Sequence, residues 1–95
     1  TLSVDDEIAV GQNLIHRGDP DTYIGFPGTD QFQIAVGGVD ILHVTEDANQ
    51  DTIVFNEGGV DVDFRVESDN ETHALFVEGG TDNIGIGTSS PQHAV

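Results

Sequence analysis

The chain contains no cysteine, methionine, tryptophan or lysine among its 95 residues. Without cysteine there is no disulfide framework and no thiolate metal site, and the redox compartment leaves no mark on the sequence. The only fixed cations are Arg17 and Arg65, set against 18 carboxylates, for a formal net charge of −16. That imbalance argues against DNA, RNA or an anionic membrane as partner. No apolar run approaches the roughly 18 residues of a spanning helix, and no signal peptide is evident. Large side chains are scarce: one Tyr and five Phe. A domain this small and this poor in bulk has little to bury by itself. We therefore read it as part of something longer.

Low bulk and high charge are also the signature of disorder. Against disorder stands a regular alternation of Val, Ile and Phe with polar residues, organised by three glycine pairs: Gly37-Gly38, Gly58-Gly59 and Gly79-Gly80. The pairs are 21 residues apart, and each is followed by one variable residue and an aspartate, Asp40, Asp61 and Asp82. Glycine doublets mark turns, and turns at a fixed period mark a stacked or fibrous repeat.

The spacing divides the chain into an irregular lead-in at 1–18, a degenerate β repeat at 19–36, β repeats at 37–57 and 58–78, and a terminal partial repeat and junction at 79–95. The lead-in reads as a short helix over Asp5–Ala9 or as two short strands around Gly11. Beyond it the pattern is β. Strands are expected at Asp21–Phe26, at Gln31–Val36 with Phe32, Ile34 and Val36 on one face, at Val39–Thr45 and at Thr52–Asn56. Val60, Val62, Phe64 and Val66 alternate with Asp61, Asp63, Arg65 and Glu67 and form the cleanest predicted strand. Thr72–Val77 and Asn83–Thr88 complete the set. In the 21-residue overlay Asn49 falls on Asn70, Phe55 on Phe76 and Glu57 on Glu78. A two-strand unit cannot bury its own apolar face, so each repeat needs neighbours. They come from the same chain in a monomeric β-solenoid, or from identical chains wound about a common axis.

Three segments carry a family resemblance. His16–Phe26 with Gly37-Gly38 and Ile41-Leu42 resembles a module of tail-fibre proteins of marine and cyanobacterial phages. Phe64–Asn70, His73–Val77 and Gly79-Gly80 are similar to a second module of those fibres. Ile84–Pro91 resembles the junction that precedes another fibre segment or an endosialidase-type intramolecular chaperone. The resemblance implies a virion appendage: a homotrimeric, intertwined β fibre that supports host attachment, joined to other fibre segments or virion proteins. It also implies a host surface glycan or protein as a candidate partner.

Sites of chemistry fare poorly. With so many carboxylates, close pairs such as Asp61/Asp63 or Glu57/Glu78 arise by chance. Glycosidase chemistry would need two carboxyls in different environments beside an aromatic-lined cleft. Calcium would find oxygen ligands on the acidic turns. However, Asp61 stands where the glycine-rich calcium β-roll needs glycine, and Ile24 occupies the glycine position of an EF-hand frame over Asp19, Asp21 and Asp30. His43 and His73 are expected within strands, where a three-fold axis could gather copies into a metal ring. No resident cofactor is expected, and a divalent ion on the acidic turns is the one candidate. The sequence expectation is an all-β, non-enzymatic fibre segment. Gly37, Gly38, Gly58, Gly59, Gly79 and Gly80 form its turns. Phe32, Ile34, Val36, Phe55, Val60, Val62, Phe64, Val66 and Phe76 form its interior, and Asp61, Asp63 and Glu67 face water. A glycan- or receptor-binding tip module is the alternative.

Overall fold

The structure is a computed structural model that describes residues 1–93; the last two positions of the predicted terminal segment lie outside the described residues. It is all-β, with eight strands in two antiparallel sheets and no helix among the described residues. The chain divides into two compact units, Thr1–Glu57 and Gly58 onward.

The first unit is a five-stranded meander in sequence order: β1 (Asn13–His16), β2 (Asp19–Gly25), β3 (Gln31–Val36), β4 (Val39–Thr45) and β5 (Thr52–Phe55). β3 and β4 span the residues expected of them. They are joined by Gly37-Gly38, whose φ values of 58° and 79° make the two-residue turn in which both positions are left-handed. That turn matches the twist of a hairpin, which is why glycine stands at both places. β2 holds it from the side: Thr22 Oγ1 accepts from Gly37 N–H at 3.1 Å, and Asp21 O accepts from Gly38 N–H at 2.9 Å. A bulge between Ile34 and Ala35 shifts the β3–β4 register by one residue. The lead-in contains no helix at Asp5–Ala9. Its one regular element is β1, which pairs with β2 and so ties residues 13–16 to the first sheet.

The second unit is a three-stranded sheet of β6 (Phe64–Val66), β7 (Leu75–Glu78) and β8 (Asn83–Ile86). The strand expected at Val60–Val66 is only its last three residues. Val62 N–H donates to Val60 O at 2.8 Å, a tight local turn that takes this amide out of any ladder. Asp63 Oδ1 accepts from Gly79 N–H at 3.0 Å, tying the same stretch to the β7–β8 turn. Perfect apolar alternation was overridden by local hydrogen bonding. β7 begins three residues later than expected because Thr72 and His73 belong to the turn before it.

Strand, glycine pair and strand recur in that order three times, at 31–45, 52–66 and 75–86, but the pairs do different work. Gly37-Gly38 makes a two-residue hairpin turn. Gly58-Gly59 lies where the chain leaves one sheet for the other, with Gly59 at φ 63°. At Gly79 a Cβ would overlap the Val62 backbone, and at Gly80 it would come within 3.0 Å of the Asp61 carboxylate. The left-handed residue of that last turn is Asp82, at φ 63°.

Candidate functional site

Cross-strand partners share a face and successive residues alternate, so the register fixes what each sheet presents. In the first sheet one row reads Leu14, Ile24, Ile34, Leu42, Phe55 across all five strands. The next row is Phe32, Val44, Ile53, extended by Phe26, whose ring lies 5.9 Å from that of Phe32. This face carries no charged or polar side chain in either row. The opposite face carries Asn13, Tyr23, Gln31, Gln33, His43, Asp40, Thr45 and Thr52, with Ile15, Ala35 and Val54 among them. The sheet is thus sharply two-sided, yet its apolar side remains open: Ile53 is 72% exposed, Leu14 62% and Phe55 53%.

The second sheet repeats the design in small. Phe64, Val77 and Ile84 form one row and Val66, Leu75 and Ile86 the next, all on one face. Ile86 is 76% exposed. The other face holds Arg65, Phe76 and Gly85 in register. There the segment after β8 folds back: a Cβ at Gly85 would stand 3.2 Å from Pro91 Cβ, and Asn83 Nδ2 donates to Pro91 O at 3.0 Å. Phe76, with the His73 ring edge-on at 4.7 Å, is 5% exposed and is the one large side chain that is buried. Ala35, on the first sheet, and Pro91 are also buried.

The nine residues expected in one interior are placed sheet by sheet. Phe32, Ile34 and Phe55 share the apolar face of the first sheet, and Phe64 and Val66 share that of the second. Phe76 lies on the opposite side of its sheet from Phe64 and Val66. Val36, the last residue of β3, alternates onto the side of Ile34 beside the Gly37-Gly38 turn, and Val60 and Val62 precede β6 in the local turn. Asp61, Asp63 and Glu67 are exposed as expected. Leu14, Ile24, Leu42 and Ile53 were not singled out. The signal that could have found them is the register itself, which depends on the bulge and on where each turn begins.

Polar groups are spent on holding loops. Asp47 Oδ1 accepts the N–H groups of Asn49 and Gln50 at 2.7 and 2.8 Å, and these hold its carboxyl below the usual carboxylate range. Asp19 and Asp21 are close neighbours on β2, and their carboxyls shift in opposite directions. Asp21, with help from Thr22 and His16, pulls Asp19 down, while Asp19, together with desolvation, pushes Asp21 up. His43 is seated on the polar face with Nδ1 2.9 Å from Asp40 Oδ2 and Nε2 3.3 Å from Gln31 Oε1. Both ring nitrogens are thus engaged within their own chain, which works against a His43 metal ring. His73 lies in a turn, not in a strand as expected. A cleft of about 370 Å³ is lined by Asp63, Phe64, Arg65, Glu67, His73 and Phe76. Its cation is already paired, Arg65 Nη2 lying 2.9 Å from Glu67. No group of three or more His, Asp or Glu side chains is placed to hold a metal ion among the described residues.

With that geometry in view the chain was compared with known proteins. It matches no family model, no curated protein and no solved structure. The open apolar faces are what remains to be explained.

Proposed function

We propose that this chain is a structural segment of a homotrimeric fibre, of the virion tail-fibre type its sequence resembles, and that its work is mechanical. The observation that carries the reading is the pair of two-sided sheets whose apolar faces lie open in a chain of net charge −16. A soluble chain seldom leaves contiguous apolar surface to water unless something covers it. Three identical chains would cover each other's faces. The carboxylates on the turns would stay outside, where like charge keeps finished fibres from adhering to one another.

Dimensions favour three. Strands about 4.8 Å apart make a five-stranded sheet about 24 Å wide, and three such sheets set as a triangular prism leave about 7 Å from each backbone to the axis. Leu, Ile and Phe side chains fill that distance. Four sheets would leave about 12 Å and a pore.

Sedimentation or light scattering on the purified chain tests the proposal. The expected species has three times the 10.1 kDa chain mass. A species of 10.1 kDa would overturn it and favour the self-contained solenoid.

A further inference from the structure

The edges of the first sheet are as unusual as its face. Exposed edge strands in soluble proteins are ordinarily guarded by charge, proline or a covering loop, because an open edge recruits other strands. The two edges here are β1, Asn-Leu-Ile-His, and β5, Thr-Ile-Val-Phe. Carboxylates make up 18 of 95 residues, yet neither edge strand contains one, nor a proline. Both have side chains exposed to water, notably Leu14 and Ile15 on β1 and Ile53 on β5. Carboxylates lie beside the edge strands instead: Asp51 immediately precedes β5, Asp47 is in the loop before it, and Asp19 opens β2 opposite His16.

Every pairing in the meander is antiparallel, so β1 and β5 run in the same direction. We propose that β5 of one copy pairs in parallel with β1 of the next, closing three five-stranded sheets into one ring with the apolar face inward. This rests on the trimer reading and goes beyond it by naming the joint. A head-to-tail joint between different edges closes a ring under rotation, whereas an edge paired with itself stops at two copies. A second copy is the occupant because it supplies what each edge lacks: an uncharged strand of matching length and direction, ending the same apolar rows. Stacking the sheets face to face without joining edges would give no reason for leaving both edges uncharged.

The absence of cysteine makes the test clean. Two double variants of the full chain are prepared, Leu14→Cys/Ile53→Cys on the apolar face and Ile15→Cys/Val54→Cys on the other, together with the four single variants. After mild oxidation, denaturing gels are run without reductant, and each variant is also weighed in solution. The expected result is covalent dimers and trimers, at two and three times 10.1 kDa, from at least one double variant and only monomer from every single one. Single variants that crosslink into dimers would overturn the inference in favour of like-edge pairing. Trimer mass in solution with no covalent product from either double variant would overturn the joint while leaving the trimer intact. A mass of 10.1 kDa in solution would overturn both.

Discussion

Glycine at a turn can be there for its φ or for its missing side chain, and this chain has both cases in the same sequence context. Gly38 is left-handed with only the Asp21 carboxylate near, at 3.8 Å, so Gly38→Ala should cost about 1–2 kcal/mol through backbone conformation alone. Gly37→Asn should cost less than that, because Asn tolerates the left-handed region and the space around Gly37 is open. Gly79 is not left-handed, and its substitution meets backbone, so Gly79→Asn should be as damaging as Gly79→Ala, about 1–3 kcal/mol. Denaturant unfolding of the four variants checks the contrast, and equal tolerance of Asn at Gly37 and Gly79 would refute it. Phe76→Ala should cost about 3–5 kcal/mol, the usual loss for a buried aromatic, and melt the second sheet. The carboxyls give opposite signs with pH. Asp47 is held low by two N–H groups, so its contribution is complete above its ordinary value and lost as pH falls through the lower folded one. Asp21 is raised, chiefly by Asp19 beside it, so its contribution is present below the ordinary value and lost as pH rises through the raised one. Titration by carboxyl NMR should show the two moving apart, and Asp21→Asn should flatten the second.

At the scale of elements, the sequence was most legible where local and long-range signals agreed. β3 and β4 were bounded to the residue because period-two apolar residues flank a glycine pair that can make one kind of hairpin turn. It was least legible at Val60–Asp63, where the alternation is perfect and the strand is absent. There a local turn and the Asp63–Gly79 bond decide the backbone, and neither is visible in hydrophobic period. The apolar row Leu14–Phe55 was hidden for a different reason. It depends on the relative register of five strands, and a one-residue slip reverses every face. The β3–β4 bulge supplies such a slip. The 21-residue period located the glycine pairs but not their roles, since identical doublets serve as a hairpin turn, a passage between sheets and a close packing point. The pairing of β1 with β2 shows the same limit: its four residues looked irregular because an edge strand need not alternate.

For the molecule as a whole, charge and apolar surface pull in opposite directions. A trimer would carry about three times −16 in formal charge, so its melting temperature should rise with ionic strength as the repulsion is screened over about 10 Å at 0.1 M salt. A melting temperature indifferent to salt would count against assembly of like-charged chains. The near absence of a private core has a consequence in time. Ala35, Phe76 and Pro91 are the only side chains buried among the described residues, so chains that assemble as proposed would have to meet before they could finish folding. On the trimer reading, renaturation is then governed by encounter. Diluting the unfolded chain should slow its recovery, whereas a self-contained domain of this size recovers at a rate indifferent to dilution. Once closed, the ring would not retrace that path on dilution. Such a ring would be made where chains are crowded, and would afterwards keep its form when they are not.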